Sequence, residues 1–277
     1  MITTKEYILE KLPRRTANSN KGTYGKVLLA CGSGNMRGAA ALATLGALRT
    51  GAGLVTLASE KAVIDALSSS IYEAVWFDTD KDDMICKSDE MSAVGIGCGS
   101  GETRKTFKNV KYLLERDGAP LVIDADGINV LCGNLKLLKN SKRPVILTPH
   151  PLEFSRLIGT SVKDVQANRV ELASAFAKKY NVTLLLKGHG TVITNGDEVF
   201  VNPTGSSALA KGGTGDVLCG MICGILAQGA SPLDACVIAA YLHGLAGERL
   251  AKSYSEYGVL ASELPLEAAK ILREMTL

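Results

Sequence analysis

The stretch KGGTGDVLCGMICGILA, residues 211–227, sets three glycines and an acid against an unbroken apolar run. Its pattern predicts a helix from Thr214 to Gln228 that is apolar all round and therefore buried, with Gly220 and Gly224 permitting close packing. The N-H groups of Gly213, Thr214 and Gly215 then surround a single point inside the protein. Donors so placed can form an anion hole, in which one aimed donor contributes roughly 2.7–4 kcal/mol of transition-state stabilisation. Asp216 falls in the first helical turn, where the helix dipole favours its ionised form by about 0.3–1 kcal/mol. Two readings follow. Asp216 is an ordinary first-turn acid after a flexible loop, or it is a general base aimed at a hydroxyl whose new phosphate the hole would hold.

A wholly apolar helix needs a sheet to pack on, and apolar bursts of strand length recur through the chain. They run over Lys26–Cys31, Leu54–Ala58, Ala74–Phe77, Ala93–Gly97, Leu121–Asp124, Val145–Thr148, Thr183–Lys187, Thr191–Thr194 and Glu198–Val201. Helical patterns lie between many of them, at Ala39–Thr50, Thr103–Arg116, Asp164–Tyr180, Thr214–Gln228 and Leu233–Lys252. The alternation predicts an α/β fold, a mostly parallel central sheet with helices on both faces. Ser161–Asp164 reads as a capping box for the long helix behind it. Asn195-Gly196 reads as a type I′ hairpin turn. No linker, low-complexity tract or internal repeat interrupts the 277 residues, which predicts a single domain over 1–277.

Composition narrows the function classes. The chain is 46% hydrophobic with a formal net charge of +3, its Lys and Arg scattered, so it shows no electrostatic footprint for nucleic acid or an anionic membrane. The N-terminal MITTKEYILEKLPRR has no signal-peptide core and no membrane-length apolar span, so a cytoplasmic location is expected. Seven cysteines at positions 31, 86, 98, 132, 219, 223 and 236 follow no repeated spacing and suit reduced, buried thiols. Cys219 and Cys223 share a helix face, but no matching pair completes a metal site in the sequence, which favours core packing.

In sheets of this class ligands sit beyond the carboxyl ends of the strands. The first such loop, CGSGNMRGAAALATLGALRTGAG at 31–53, carries G-x-G-x-x-x-G from Gly32, one residue off the dinucleotide fingerprint, with Glu60 at about the distance of a ribose-binding acid. It reads as a phosphate-holding turn, a Rossmann-type turn, or simply a tight turn with close helix packing. GIGCGSG at 95–101 lets a ligand approach the backbone, or is a structural corner. In LVIDADGINVL, Asp124 and Asp126 end a strand and Asn129 follows; acids there hold Mg²⁺, orient a polar substrate, or cap the next helix. His150, fixed between two prolines in VILTPHPLEF, reads as a ligand contact, and Glu153 could reach Mg²⁺ through water. Lys187 and the turn Gly188, His189, Gly190 and Thr191 offer a cation, N-H groups and a hydroxyl suited to a nucleotide phosphate or ribose.

Taken in order, KGTYGKVLLACGS, GAAALATLGALRTGAGLVTLA, VIDADGIN, TPHPLEF, KGHGTVIT and GGTGDVL resemble the ADP/ATP-dependent NAD(P)H-hydrate dehydratase family of the ribokinase-like superfamily. The resemblance runs from about Lys21 to Gly229 and on through the C-terminal helices. It implies a ribokinase-like three-layer sandwich and repair of hydrated nicotinamide cofactors, NADHX and NADPHX, whose ring hydroxyl is phosphorylated with ADP or ATP and Mg²⁺ before phosphate leaves. Carried over by position, it makes Asp216 the base and Gly213, Thr214 and Gly215 the anion hole. Lys187, Gly188, His189, Gly190 and Thr191 with Gly215 would bind the adenine nucleotide. Ala40, Gly99 and His150 would contact the hydrated cofactor, with Asp216, Asp124 and Asn129 nearby.

The resemblance further implies a homotetramer. The short segment before Lys26 leaves no room for the N-terminal epimerase domain that many relatives carry, so repair of the R-form is expected to need a separate epimerase. The chain departs from the pattern at Leu152, Ser206 and Lys211, where the family often has Gly, Asn and Thr; Lys211 would add a cation near the transferred phosphate. Two rival readings keep the fold: a small-molecule kinase for a vitamin precursor such as hydroxyethylthiazole, and a nucleotide sensor without turnover.

Overall fold

The computed structural model describes residues 1–81 and 87–277, so Cys86 lies outside the described residues. Among the described residues nine strands form one sheet: β1 Lys26–Ala30, β2 Leu54–Ser59, β3 Ala74–Asp78, β4 Ala93–Ile96, β5 Leu121–Ile123, β6 Val145–Leu147, β7 Thr183–Leu186, β8 Val192–Thr194 and β9 Val199–Val201. Their order is β3-β2-β1-β4-β5-β6-β7-β8-β9. The first seven run parallel, and β8 and β9 join antiparallel. Strands covered on both faces need apolar residues at every position, which is why they stand out as solid runs. In β1, Val27 and Leu29 enter one core while Leu28 and Ala30 enter the other. The expected three-layer sandwich is therefore present.

The helices are α1 Lys5–Lys11, α2 Arg37–Arg49, α3 Lys61–Leu67, α4 Arg104–Glu115, α5 Asp126–Asn129, α6 Lys136–Lys139, α7 Pro151–Ile158, α8 Val162–Ala167, α9 Arg169–Tyr180, α10 Thr214–Ala227, α11 Pro232–Gly258 and α12 Leu264–Thr276. The core containing Val27 is closed by α2, α10, α11 and α12, and the other by α4, α7 and α9. Among the described residues no helix is long and apolar enough to cross a membrane.

Three local expectations need correction. The predicted helix Asp164–Tyr180 is two helices, because Asn168 leaves the helical region at φ −129°, ψ 38°. Ser161 caps only the short α8: it accepts from the Asp164 N-H, but the Asp164 carboxylate takes the Ser161 hydroxyl at 2.6 Å, so the reciprocal half of the box is not made. The β8–β9 hairpin exists, but only Gly196 of the Asn-Gly pair takes a positive φ, at 97°, so its turn is not type I′. Instead the Asn195 Oδ1 accepts the N-H groups of Asp197 and Glu198, a side-chain turn.

The contact that fixes α10 is made by its glycines. A Cβ on Gly220 would lie 1.9 Å from the Ala43 carbonyl oxygen of α2, and one on Gly224 would lie 2.6 Å from that of Ala47. Gly46 of α2 returns the arrangement, with a Cβ 2.5 Å from the Val217 carbonyl oxygen. The two helices run side by side in the same direction with backbones nearly touching. Gly220→Ala meets backbone that cannot yield and should cost about 3 kcal/mol or more, the upper range of overpacking. Gly38→Ala, where a Cβ meets nothing within 4 Å, should leave stability unchanged or slightly raised. Urea unfolding of both variants checks the difference, and equal midpoints would contradict this account of the contact.

Candidate active site

The chain runs outward from β1 to β2 to β3 and returns to place β4 on the other side of β1. That reversal is the topological switch point where sheets of this kind open a crevice. The loops leaving the two central strands are tied together by the Gly32 N-H donating to the Cys98 carbonyl oxygen at 2.7 Å. The Gly34 N-H donates to Glu60 Oε2 at 3.1 Å. Glu60 thus shapes the glycine loop through this oxygen.

The β4 loop approaches the β5 loop so closely that a Cβ on Gly97 would lie 2.0 Å from the Asp124 carbonyl oxygen. Asp126 Oδ2 accepts the Gly101 N-H at 2.8 Å, so of its possible roles the structural one is observed. Between the two acids Ala125 is held at φ 48°, ψ −120°, a conformation that costs on the order of 1–3 kcal/mol and persists only where its surroundings impose it.

The loop ahead of α10 is locked from several sides. Gly213 caps the helix at φ 93°, where a Cβ would strike Leu42 at 2.5 Å. The Thr214 hydroxyl reaches back to the carbonyl oxygens of Leu209 and Lys211 at 2.9 and 3.0 Å. Lys211 donates its ammonium to the carbonyl oxygens of Tyr257 and Val259 at the end of α11. The expectation that Lys211 adds a cation near the phosphate site is therefore corrected: its charge is engaged with helix-terminal carbonyls, which attract it. From α11 the buried His243 points Nε2 at the Thr214 carbonyl oxygen, 2.9 Å away. A carbonyl only accepts, so this nitrogen carries the proton, and burial lowers the pKa to about 4, keeping the ring neutral.

Four charged groups converge at this helix start. Lys187, leaving β7, places Nζ 2.8 Å from Asp124 Oδ1 and 4.0 Å from Glu153 Oε2. Burial disfavours the Lys187 cation, but the Asp124 and Glu153 carboxylates prevail and its pKa lies above the ordinary value. A Cβ on Gly215 would sit 3.4 Å from Lys187 Nζ and 3.8 Å from Asp124 Oδ2, so the ion pair lies against the first turn of α10. Beneath it, Cys98 Sγ is 3.7 Å from Asp124 Oδ2. Asp216 remains partly exposed in the same turn. Burial and the neighbouring Asp124 charge push its pKa to about 6, against hydrogen bonding from Cys98 and the attraction of Lys187.

The remaining sequence-derived residues fall into place unevenly. His150 and Glu153 form a full capping box on α7: His150 Nδ1 accepts the Glu153 N-H at 3.1 Å and Glu153 Oε2 accepts the His150 N-H at 2.8 Å. The ring is half-exposed at the mouth of the sheet, with Nε2 3.4 Å from Glu153 Oε1. Asn129 Oδ1 is buried and has no partner, an acceptor left open near the crevice. Ala40 is fully buried and Gly99 nearly so; a Cβ on Gly32 would meet Ala40, and one on Gly99 would meet Ala39. Those two therefore shape the crevice wall from behind and present no side-chain surface. His189 is exposed, and Thr191 Oγ1 donates to the Gly188 carbonyl oxygen at 2.9 Å.

Sequence reasoning missed Arg169, whose guanidinium donates to the carbonyl oxygens of Leu186 and Lys187 at 2.9 and 3.2 Å and so holds the Lys187 turn open. It missed His243 as well. An Arg opening a helix and a His inside an apolar helix each look ordinary until the fold brings them to a loop.

The arrangement combines a partly buried carboxylate with a raised pKa, a helix N-terminus stripped of side chains by glycine, and a lysine behind it. Such a set can remove a proton from a hydroxyl and receive negative charge on backbone N-H groups. A family model described as NAD(P)H-hydrate dehydratase matches residues 27–270. The chain is 41% identical over 266 residues to the ADP-dependent (S)-NAD(P)H-hydrate dehydratase of Bacillus subtilis, covering 94% of each protein. It is 37% identical to the bifunctional NAD(P)H-hydrate repair enzyme of Moorella thermoacetica, covering 95% of this chain but about half, 52%, of that longer protein. It superposes with a TM-score of 0.88 and 36% identity on a crystal structure of the ADP/ATP-dependent NAD(P)H-hydrate dehydratase from Bacillus subtilis co-crystallised with ATP/Mg²⁺, covering 99% and 98% of the two chains.

The Asp216 environment makes a stability prediction that needs no substrate. Its folded-state pKa is raised from 3.8 to about 6, so the folded chain holds this proton longer than the unfolded chain does. Stability present below pH 3.8 is then lost as pH rises through about 6. Asp216→Asn should remove that loss and raise stability above pH 6 by roughly 1–3 kcal/mol, with no gain at acid pH. Urea midpoints measured across this range check it, and an unchanged or lower midpoint near neutral pH would contradict the assignment of a burial-raised carboxyl.

Proposed function

The chain belongs to the NAD(P)H-hydrate dehydratase family, and on that premise we propose that it restores hydrated NADH and NADPH by nucleotide-dependent dehydration, with Asp216 as the base. The observation that carries the reading is Asp216 itself, a carboxylate tuned to about pH 6 beside the glycine-lined start of α10. A base works best when its pKa lies near the operating pH, and an acid this close to neutrality fits.

In this mechanism Asp216 takes the proton of the C6 hydroxyl as that oxygen attacks the terminal phosphorus of ADP or ATP. The N-H groups of Gly213, Thr214 and Gly215 accept the charge on the phosphoryl oxygens. The bond to the nucleotide leaving group breaks, releasing AMP from ADP or ADP from ATP. Hydroxide leaves carbon reluctantly and phosphate leaves readily. The ring-nitrogen lone pair then expels phosphate from C6, and loss of a proton from C5 completes the nicotinamide double bond.

The nucleotide would lie along Lys187–Thr191, with Arg169 holding the turn and Gly215 allowing phosphate to approach the backbone. His150 and the open acceptor of Asn129 would meet the hydrated ring and its carboxamide. Mg²⁺ prefers hard oxygen donors and substrate phosphates. Glu153 fits that preference and would reach the ion through water, because Oε2 is already bonded to the His150 N-H, while Asp124 stays paired with Lys187. The ion supplies neutralisation of phosphate charge. The partner implied by the chemistry is an epimerase supplying the S-form, a function consistent with the bifunctional relatives.

Incubation with NADHX, Mg²⁺ and either ADP or ATP should restore the absorbance of the reduced nicotinamide. No recovery with either nucleotide would end this reading and return the chain to the kinase or sensor alternatives. Asp216→Asn should lower turnover by roughly 10²–10⁴-fold while nucleotide binding persists. In the parent, kcat/KM should rise with pH through about 6 as Asp216 ionises and then level off. A pH profile flat from about 5 to 8, or near-normal turnover in the variant, would show that another group is the base.

A further inference from the structure

Cys98 leaves β4, Asp124 follows β5 and Cys219 stands one turn into α10, and the fold brings one ligand atom of each to within 4.8 Å of the others. All three are buried. The dehydration scheme uses neither thiol. Along α10 the sequence pairs Cys219 with Cys223, but the pair that meets a carboxylate is Cys219 with Cys98. We propose that Cys98, Asp124 and Cys219 bind one thiophilic divalent cation, Zn²⁺ or Cd²⁺, beneath Asp216, and that filling this site stops turnover.

The spacing suits such an ion. A tetrahedral zinc with sulfur at about 2.3 Å and carboxylate oxygen at about 2.1 Å places those two ligands roughly 3.6 Å apart. Cys98 Sγ and Asp124 Oδ2 are 3.7 Å apart. Two sulfurs with one carboxylate select a soft or borderline ion over Mg²⁺. Three protein ligands also leave one position open, and Asp216 lies beside Cys98 on the partly exposed side.

Charge balances as well. Binding breaks two S-H bonds, forms two metal–sulfur bonds and releases two protons to solvent, with no change of oxidation state. The dication then meets two thiolates, while the Asp124 charge is matched by Lys187 at 2.8 Å, so the buried assembly is neutral overall. An ion with an open position draws in the Asp216 carboxylate, and the lone pair that would accept the hydroxyl proton is occupied. This last consequence rests on the dehydratase reading; the binding does not.

The reduced protein is titrated with Cd²⁺ while the ultraviolet thiolate-to-cadmium charge-transfer absorbance and proton release are followed. The band should saturate at one ion per chain with about two protons released. It should vanish in Cys98→Ala and in Cys219→Ala, with Cys98→Ser as a second replacement if either fails to fold. It should persist in Cys236→Ala, whose thiol is buried on α11. Absence of the band in the parent, or its survival in folded Cys98 and Cys219 variants, overturns the site. In the NADHX assay Cd²⁺ should inhibit reversibly on chelation, and Cys219→Ala should need at least about tenfold more Cd²⁺. An inhibition unchanged in that variant overturns the link to turnover. A chain that shows the band but never repairs NADHX refutes the dehydratase reading and leaves the metal site standing.

Discussion

Everything at the crevice depends on how closely α2 and α10 approach. Both helices begin at the carboxyl ends of the strands, and both aim the positive ends of their dipoles at the same space. A side chain at Gly220 or Gly46 would push the backbones apart, and the start of α10 would move with them. The geometry at the start of α10 is thus set some distance away, by the absence of side chains along a buried seam. Gly95 extends the same device into the sheet, where a Cβ would lie 2.8 Å from Cys223 Sγ. Small residues here trade side-chain contacts for position. The buried apolar faces of α10 and α11 compensate, because each supplies a large part of the core on that side of the sheet.

The electrostatics follow from the position so fixed. Asp124, Glu153 and Asp216 share one buried cation, Lys187, and the nearest pair is Lys187 with Asp124. Asp216 is left with the repulsion of a neighbouring carboxylate and only part of the lysine's attraction, which together with burial accounts for its raised pKa. Glu153 shows the same response to burial, yet its Oε2 is anchored by the N-H of His150. One acid is paired, one is anchored as a cap, and one stays partly exposed with a raised pKa. The strained Ala125 belongs to this economy, since it turns the chain sharply enough to leave Asp124 inward and send Asp126 to the Gly101 N-H.

How much of this was legible in the sequence depended on how local the physics is. The central strands could be read because a parallel strand buried on both faces must be apolar throughout, and all nine described strands lie where the sequence shows apolar runs. The start of α10 could be read because Gly-Gly-Thr-Gly-Asp before an apolar run is a local signal. The break at Asn168 could not, because its helical neighbours mask a single residue leaving the helical region. The short helix α7 was likewise hidden within a loop, although the His150–Glu153 capping box was a local signal available there. Arg169, His243 and the meeting of Cys98 with Asp124 were beyond reach for another reason. Each acts on a segment far away in the chain, and nothing in its own neighbourhood marks the contact.

The departures from the family pattern sharpen the same distinction. Lys211 reads locally as a cation one glycine pair away from the anion hole, and that proximity suggested a role in phosphate binding. In the fold its ammonium is drawn to the carbonyl oxygens of Tyr257 and Val259, where the backbone leaves α11. Sequence proximity to a site is therefore a weaker guide than the field that a side chain meets. A helix end rich in free carbonyl groups attracts a lysine, whereas a helix start lined by N-H dipoles of the opposite sense repels it. Lys187, remote in sequence from the start of α10, is a cation that reaches it, because a carboxylate at the end of a neighbouring strand region holds it there.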